Sequence, residues 1–274
     1  MSASAPEAGV AVITGAASGI GAGLARYASS RGMAVVLADW DKAGLEQLAD
    51  ELPGDVASLK VDVREENDVE ALAELAYDRF GQVDLLFNNA GVLQAGLSWE
   101  LTADTWQRVM DVNVLGVVNG IRAFTPRLLA ASRPARIINT ASVGGFFSGS
   151  LIGPYFASKA AVVALTETLA HDLATTKSEV RASVLAPGPV NTGILREDGG
   201  AGAERLMERM RELTAKHSAD PDAYAALIFD AIDRGEFWIV PQPEALDPRL
   251  QERTQMIMER RSPADSPDRS KDKE

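Results

Sequence analysis

The feature that most constrains the fold is a regular alternation of short apolar runs and longer stretches with helical spacing. Val10–Thr14 leads into a glycine-rich turn, and Gly19–Ser30 then has the spacing of a helix. Further apolar runs lie at Val35–Ala38, Val56–Val61, Val83–Phe87, Arg136–Thr140, Val180–Leu185 and Phe237–Val240, with helical patterns between them. Strands that alternate with helices form a parallel sheet covered on both faces. The pattern therefore predicts a doubly wound α/β fold.

The length of 274 residues and a hydrophobic content of 46% fit one large domain. We place this domain at 1–261, with an N-terminal arm at 1–8, and expect 262–274 to be a disordered tail because it lacks large apolar residues. No apolar run approaches the ~20 residues that cross a bilayer. The first nine residues have neither basic residues nor an apolar core, so they do not form a secretory signal. We expect a cytoplasmic protein.

Charge and cysteine content exclude several classes of function. The formal charge of −12 argues against binding to nucleic acid or to an anionic membrane, because both need a basic face. The absence of cysteine excludes disulfides, thiolate nucleophiles and cysteine-based metal sites. His171 and His217 are the only histidines, so we expect no metal site.

A tyrosine and a lysine lie on one predicted helix, in a pair that many helices contain by chance but that can also transfer protons. Tyr155 and Lys159 lie four residues apart within a helix predicted over Pro154–Thr175, so they share one face. An ammonium beside a phenol favours the phenolate, and we expect Lys159 to lower the pKa of Tyr155 from its usual value of ~10. The pair therefore predicts a group that transfers protons near neutral pH.

The turn after the first strand predicts a phosphate-binding site. Its sequence, Thr14–Gly21, has glycines in a GxxxGxG pattern, which allow a tight turn and a close approach of the backbone to a pyrophosphate at a helix N-terminus. A plain strand-to-helix turn remains the alternative for this segment.

An acid after the second strand indicates which dinucleotide binds. Asp39 follows Gly21 by eighteen residues, where a carboxylate accepts hydrogen bonds from the adenosine ribose. The same charge repels a 2′-phosphate by ~1 kcal/mol in water and ~4 kcal/mol at a partly screened site. Trp40 and Asp41 offer no compensating cation, so we predict NAD rather than NADP. A solvated acid at a strand end remains the alternative.

These motifs, taken together, resemble the classical short-chain dehydrogenase/reductase family. The matching pieces are TGAASGIG at 14–21, Asp62-Val63, Asn88–Gly91, Asn113 in MDVN, Ser142, YFASK at 155–159 and PGPVNT at 187–192. The resemblance covers about residues 8–240. It implies a Rossmann-type sheet of seven strands in the order 3-2-1-4-5-6-7, and commonly a homotetramer.

The resemblance also assigns residues to the cofactor. It implies that Asp62 and Val63 contact the adenine, that Asn88 braces the sheet, and that Val190 and Thr192 hold the nicotinamide carboxamide. Lys159 would bond the nicotinamide ribose. The full set implied for NAD is Gly15, Ser18, Gly19, Ile20, Gly21, Asp39, Trp40, Asp62, Val63, Asn89, Ala90, Gly91, Tyr155, Lys159, Pro187, Gly188, Val190 and Thr192.

Four residues make up the catalytic set that the resemblance implies. Tyr155 is the general acid/base, and Lys159 stabilises its phenolate. Ser142, at the end of the fifth strand, polarises and positions the substrate oxygen. Asn113 lies in a helix predicted over about Ala103–Ala131, and it would hold a water that connects Lys159 to solvent.

The segment between Ser142 and Tyr155 predicts an apolar pocket. We expect Phe146, Phe147, Leu151 and Ile152 to form one wall, with Leu93, Gln94 and Leu97 opposite, although the phenylalanines could equally be core or subunit contacts. A lid is expected at about 191–215, with a hinge at 199–202. The segment Ala160–Leu165 is apolar on all sides, which indicates a buried helix or a subunit interface.

The leading hypothesis is an NAD-dependent oxidoreductase that interconverts a secondary alcohol, apolar and alicyclic or aromatic, with its ketone. An acyl-thioester ketoreductase and a non-catalytic NAD-binding protein stay open as alternatives. A serine hydrolase using Ser142 is disfavoured because the GxSxG elbow is absent. The small-molecule substrate, the direction of the reaction and its stereochemistry do not follow from the residue types.

Overall fold

The computed structural model describes residues 8–190, 194, 208 and 220–265. Thr192, most of the expected lid and the chain ends at 1–7 and 266–274 lie outside the described residues. Seven strands form one sheet: β1 Val10–Thr14, β2 Ala34–Asp39, β3 Val56–Lys60, β4 Leu85–Asn88, β5 Ala135–Thr140, β6 Val180–Leu185 and β7 Trp238–Ile239.

Helices connect the strands. The described α-helices are α1 Gly19–Ser30, α2 Lys42–Glu51, α3 Glu66–Phe80, α4 Ala103–Met110, α5 Gly116–Ala131, α6 Gly153–Thr175, α7 Pro221–Asp233 and α8 Pro243–Met258. A π-helical segment, Asp111–Leu115, joins α4 to α5, and short 3₁₀ turns lie at Val143–Gly145 and Pro263–Asp265. None of the described helices has both the length and the apolar character that a membrane span needs.

The sheet is wholly parallel and has the order β3-β2-β1-β4-β5-β6-β7, which confirms the predicted topology. The strand order reverses between β1 and β4. A crevice therefore opens at the carboxyl ends of these strands, where open α/β sheets bind ligands.

Alternate residues of each strand pack against opposite layers of helices. Ala11 and Ile13 of β1 pack in the cluster that contains side chains of α1, α2 and α7. Val10 and Val12 of the same strand pack in the cluster with α3, α5 and α6. Burial on both faces explains why the strands are almost continuously apolar.

The long helix predicted over Ala103–Ala131 forms, but it is not a regular α-helix throughout. Its middle, Asp111–Leu115, has π-helical hydrogen bonding and contains Asn113. A single inserted residue produces such a bulge without changing the apolar spacing on either side, so the sequence pattern does not indicate it.

The last helix, α8, lies beyond Val240, where the sequence pattern predicts no further element. Pro243 and Pro248 obscure the helix in the sequence because proline breaks helix interiors. In the structure Pro243 occupies the first turn, where its missing N–H costs nothing, and Leu246 and Met256 are buried beneath the helix. Helix α8 returns the chain to the carboxyl end of the sheet.

Candidate active site

A cleft of about 1390 Å³ lies at the carboxyl ends of the strands and has two halves. We call one the cofactor half; it is lined by the turn after β1 and by the ends of β2, β3 and β4. The other, the substrate half, is lined by the loop after β5, the start of α6 and the inner face of α8. Both halves are continuous parts of one cavity.

The glycine turn is built so that the backbone itself forms the wall of the cofactor half. Gly15 has a φ of +68°, and a Cβ there would lie 2.8 Å from the Ala90 Cα. A Cβ on Gly21 would overlap the Gly15 carbonyl oxygen. The first N–H groups of α1 have no intrahelical acceptor. Together with Ser18, Gly19 and Ile20, which line the cleft, they make a cradle suited to a pyrophosphate.

Asp39 holds the glycine turn in place as well as facing the cleft. One carboxylate oxygen accepts from the Ala17 N–H at 3.0 Å, and the other accepts from the Asp41 N–H at 3.0 Å. Trp40, beside it, is 76% exposed and lines the cleft. The structure therefore supplies a fixed negative charge at the outer end of the cofactor half.

Asp62 and Val63 both line the cleft, but Asp62 already has a partner. Its two oxygens accept hydrogen bonds from the backbone and side chain of Arg64. This hydrogen bonding lowers the pKa of the Asp62 carboxyl below its usual value. Both residues are partly exposed, so an ion pair of this kind is weak and a ligand can displace it.

Thr14 is a supporting residue that the sequence analysis did not single out. Its hydroxyl donates to the Phe87 carbonyl and accepts from the N–H groups of Asn89 and Ala90, at 2.9 and 3.1 Å. The Asn89 amide donates back to the Thr14 carbonyl at 3.0 Å. These bonds tie the end of β1 to the Asn89–Gly91 turn. A polar residue at the end of a buried strand was the available signal.

Asn88 braces the sheet, in agreement with the role that the resemblance implied. Its amide donates to Asn139 on β5 at 2.8 Å, and Asn139 donates to Thr166 on α6 at 3.0 Å. All three side chains are buried. This chain of hydrogen bonds fixes α6 relative to the sheet, and α6 carries the tyrosine and the lysine.

Tyr155 and Lys159 lie side by side on the first two turns of α6, with the ammonium nitrogen 5.7 Å from the centre of the tyrosine ring. Lys159 is 3% exposed, and its Nζ donates to the Thr140 carbonyl at 2.8 Å. Burial lowers the pKa of Lys159 to about 8. The lysine is thus held at the base of the cleft by the end of β5.

The pKa of Tyr155 moves in the direction opposite to the one expected from the sequence. Burial of the hydroxyl raises it above the ordinary value, while a hydrogen bond with Ser142 opposes the increase. The expectation considered only the charge of Lys159. That expectation omitted the free-energy cost of forming a charged phenolate where water is excluded.

Ser142 lies at the end of β5, close to the turn that precedes Val190. Its hydroxyl accepts from the Gly144 N–H at 3.1 Å and faces the Pro187 carbonyl at 3.4 Å. Because it also bonds the Tyr155 hydroxyl, both oxygens face the same part of the substrate half. The pair can therefore bind one substrate oxygen together.

Asn113 lies behind the cleft wall. Its amide oxygen accepts from the Val92 N–H at 2.8 Å, and its nitrogen donates to the Val92 carbonyl and to Ser158, both at 2.9 Å. Gly91 separates it from Lys159, since a Cβ there would lie 3.4 Å from both side chains. The side chain thus clamps the Gly91-Val92 backbone next to the lysine. That Asn113 also holds a water stays a prediction.

The apolar wall expected after Ser142 forms only in part. Phe147, Ile152 and Leu93 line the cleft, and so does Phe156. Phe146 instead packs against the buried cluster that contains Val162 and Val163, and lies edge-on to the exposed Trp238 with ring centres 5.7 Å apart. Gln94, Leu97 and Leu151 do not line the cleft.

Of the cofactor residues expected from the sequence, most meet in this single cleft. Those that line it are Gly15, Ser18, Gly19, Ile20, Asp39, Trp40, Asp62, Val63, Asn89, Ala90, Gly91, Tyr155, Lys159, Pro187, Gly188 and Val190. Gly21 does not line the cleft; it allows the close approach of α1 to the turn. Thr192 lies outside the described residues.

The chain is similar in sequence to known proteins of one family. A family model described as short chain dehydrogenase matches residues 9–200. The chain is 37% identical over 243 residues to the 1-deoxy-11-beta-hydroxypentalenate dehydrogenase of Streptomyces exfoliatus, covering 86% of this chain and 83% of the relative. The chain belongs to the short-chain dehydrogenase/reductase family. It is therefore an oxidoreductase by membership.

Two solved structures place the fold in the same family. A short chain dehydrogenase/reductase from Burkholderia phymatum in complex with NAD has 38% identity and a TM-score of 0.90, covering 94% of this chain and 97% of that one. The 3-ketoacyl-(acyl-carrier-protein) reductase from Brucella melitensis complexed with NADH has 31% identity and a TM-score of 0.74, covering 85% and 95%.

Proposed function

We propose that this protein is an NAD-dependent dehydrogenase that interconverts an apolar secondary alcohol and its ketone, with Tyr155 as the general acid/base. The observation that carries the proposal is that Ser142, Tyr155 and Lys159 share one cleft with a glycine cradle and the Asp39 carboxylate. The relative named a hydroxypentalenate dehydrogenase and the relative in complex with NAD support both parts of it.

The cofactor half fits NAD. The cradle after β1 offers N–H groups where a Cβ at Gly15 or Gly21 would collide, so the backbone is free to approach a pyrophosphate. Asp39 would accept hydrogen bonds from the adenosine ribose hydroxyls and would repel a 2′-phosphate. Val190, together with Thr192 as the family resemblance implies, would hold the nicotinamide carboxamide, and Lys159 would bond the second ribose.

When bound, NAD⁺ supplies the acceptor for a hydride that leaves the carbinol carbon with the electron pair of its C–H bond. The side chains of the protein transfer the proton. The Tyr155 phenolate takes the hydroxyl proton as the carbonyl forms, and in the reverse direction the phenol returns it to the ketone oxygen. Ser142 bonds the same oxygen and polarises it.

Lys159 makes this proton transfer feasible at neutral pH. Burial disfavours the phenolate, so a cation beside the ring is needed to offset that cost. With its pKa lowered to about 8, Lys159 also passes a proton to and from solvent readily. Asn113, which clamps Gly91-Val92 against the lysine, orders the water that completes this path.

The substrate half favours an apolar body next to the carbinol. Phe147 and Phe156 have ring centres 6.2 Å apart, and Phe156 lies 6.5 Å from the Tyr155 ring. Ile152 and Leu93 complete a small apolar cluster with Tyr155 and Phe156. An alicyclic or aromatic alcohol buries its surface here, whereas a sugar would lose its hydration without replacement.

The test follows NADH formation from NAD⁺ over a panel of aromatic and alicyclic secondary alcohols, with Tyr155→Phe run in parallel. We expect the turnover rate of the variant to be about 10²–10⁴-fold lower than that of the unchanged protein, which is the range for loss of a general acid/base. The affinity for NAD⁺ should change little. NAD⁺ binding without turnover of any panel member would favour the non-catalytic hypothesis.

An acyl-thioester ketoreductase is the second candidate, favoured by the similarity to the 3-ketoacyl reductase complexed with NADH. The acidic charge of the chain counts against docking an acidic carrier. Reduction of acetoacetyl-N-acetylcysteamine with NADH distinguishes the two: faster reduction of this thioester than of any aryl ketone would replace the leading proposal.

We also propose that the enzyme is a homo-oligomer. Within Ala160–Leu165, Val162 and Val163 are buried in the chain, whereas Ala160 and Ala164 are exposed. A row of small exposed residues allows a second helix to pack closely. A monomer by light scattering would contradict this proposal.

A further inference from the structure

The wall of the cofactor half contains a segment that directly follows β3. Asp39, at the end of β2, lies in register with Lys60 of β3, so residues 61–64 continue beside the Asp39 carboxylate. Trp40 and Val63 line this end of the cleft and give it apolar surface. With the pyrophosphate at the glycine cradle and its ribose at Asp39, the planar base carried by that ribose would lie against this segment.

The same segment carries an ion pair between Asp62 and Arg64, and both side chains line the cleft. The Arg64 Nε lies 2.9 and 3.0 Å from the two Asp62 oxygens, and its Nη2 lies 2.5 Å from Oδ2. Oδ1 also accepts the main-chain N–H of Arg64 at 3.0 Å. Among the described residues, Oδ2 accepts hydrogen bonds from the guanidinium alone. Oδ2 is therefore the oxygen that a ligand can bind by displacing one side chain.

The backbone around this ion pair is held by other groups. The Asp62 N–H donates to the Asp68 carboxylate at 3.0 Å, and the buried Asn119 amide donates to the carbonyls of Val63 and Arg64, at 2.9 and 3.3 Å. The Arg64 side chain is 44% exposed, and an exposed ion pair adds little to stability. The guanidinium can therefore move, or be replaced, while Asp62 keeps its place.

Helix stability does not explain an arginine at this position. Helix α3 begins at Glu66, two residues further on, and a cation beside a helix N-terminus is unfavourable. Glu65 and Asp111 also attract the guanidinium, which keeps it at the edge of the cleft when it leaves Asp62. A base that reaches Asp62 therefore meets a carboxylate and a guanidinium at the same edge.

We propose that Arg64 determines how selectively the cofactor half binds adenine, because it competes with the exocyclic amine of adenine for Oδ2 of Asp62. This inference rests on the proposed function and concerns the base of its cofactor. An amine at Oδ2 either shares the oxygen with the guanidinium or displaces it, so its bond is weaker than one to an unpaired carboxylate. The guanidinium in turn donates to a base with an oxygen at that edge, such as hypoxanthine. Arg64 therefore lowers the affinity for NAD⁺ and reduces the preference for adenine.

The test measures binding separately from turnover. The probes are NAD⁺ and deamino-NAD⁺, which carries hypoxanthine in place of adenine, each titrated calorimetrically into the full chain. In the unchanged protein we expect the two dissociation constants to agree within about threefold. In Arg64→Leu we expect NAD⁺ to bind about threefold more tightly, within the range for an exposed ion pair, and deamino-NAD⁺ about threefold more weakly. The ratio of the two constants should then favour NAD⁺ by about tenfold.

Further variants assign the effect to the ion pair. Arg64→Leu in an Asp62→Asn background should change the ratio by less than about twofold, because the charge for which the two donors compete is gone. Arg64→Lys keeps a cation but not the two-point contact, so its ratio should be intermediate. Arg122→Leu is the matched control, since Arg122 forms an exposed ion pair with Glu66 at 2.8 Å and does not line the cleft. It should change neither dissociation constant.

Weaker binding of NAD⁺ by Arg64→Leu would overturn the inference, since the guanidinium would then assist the binding of adenine. An unchanged ratio in this variant would overturn it too. NADH formation from the panel of alcohols, with Tyr155→Phe beside it, tests the proposed function independently. A changed ratio without turnover of any alcohol would mean that the inference stands and the dehydrogenase proposal fails. Turnover with an unchanged ratio would mean the reverse.

Discussion

The two halves of the cleft are built in different ways. The cofactor half is made mostly of backbone, from short motifs between Thr14 and Gly91 that directly follow β1, β2, β3 and β4. The substrate half is made of side chains from the loop after β5, α6 and α8, which lie more than a hundred residues apart at the extremes. The geometry of the cofactor half is therefore set by short local segments, whereas the geometry of the substrate half depends on how distant elements pack together.

This difference predicts which half tolerates substitution. In the cofactor half, Gly15 and Gly21 leave no room for a Cβ, so a single methyl group disturbs the cradle. In the substrate half, α8 docks through Leu246 and Met256 and through contact of Gln242 with Gly188. Side chains on its inner face can change without moving the helix. The cofactor half should therefore determine which cofactor binds, and the substrate half which substrate binds.

The largest effect is expected where the two halves meet. Replacing Lys159 by methionine should reduce kcat by about 10³, because the phenolate loses its counter-charge. The melting temperature should not fall, because an apolar side chain of similar length replaces a buried cation. Steady-state kinetics and calorimetry check both. Lys177→Met, at an exposed site, is the control, and a large loss of stability in Lys159→Met would contradict the account.

Cofactor choice should respond only to the cofactor half. Asp39→Ser removes the carboxylate that repels a 2′-phosphate, and the ratio of kcat/KM for NAD to that for NADP should fall by about fivefold to a thousandfold. The preference among alcohols should not change. A variant that alters alcohol preference as strongly as cofactor preference would show that the halves are coupled.

The pH dependence follows from the two buried groups. Oxidation needs Tyr155 without its proton, and burial raises its pKa, so kcat/KM for the alcohol should rise with pH from 6 to about 8 at saturating NAD⁺. Above about 8 the increase should stop, because Lys159 loses the charge that stabilises the phenolate. Reduction needs Tyr155 with its proton, so kcat/KM for the ketone should be constant at lower pH. It should decline above a pH of about 8, where Lys159 loses its proton and no longer stabilises the phenolate. Oxidation that falls with rising pH over this range would contradict the assignment of Tyr155.

The smallest effect is expected within the substrate half. Phe147→Leu shortens the apolar wall and removes the ring under Arg249, at a cost of about 1 kcal/mol, so KM for an aromatic alcohol should rise about fivefold. KM for NAD should stay constant. Phe146→Leu is the matched control, because Phe146 contacts Trp238 and does not line the cleft, and it should leave both KM values unchanged.

The same division explains what could be predicted from the sequence. The sheet order could be predicted because the motifs resemble a family with a known strand order. The place of Gly15, Asp39 and Asn89 on the cleft could be predicted because each lies in a short motif that follows a strand. Helix α8 could not be predicted, because Pro243 and Pro248 obscure its helical pattern. The burial of Leu246, which anchors the helix, becomes visible only in the folded structure. The direction of the Tyr155 pKa shift was wrong because it depends on burial, which spacing alone does not give.

The most direct test of the central claim is to follow the hydrogen itself. The best secondary alcohol of the panel is prepared with deuterium on the carbinol carbon, and the NADH formed is analysed by mass spectrometry. The account predicts that each reduced cofactor carries one deuterium, with no such product from Tyr155→Phe on the same timescale. Reduced cofactor without deuterium, or undiminished transfer in the variant, would contradict it.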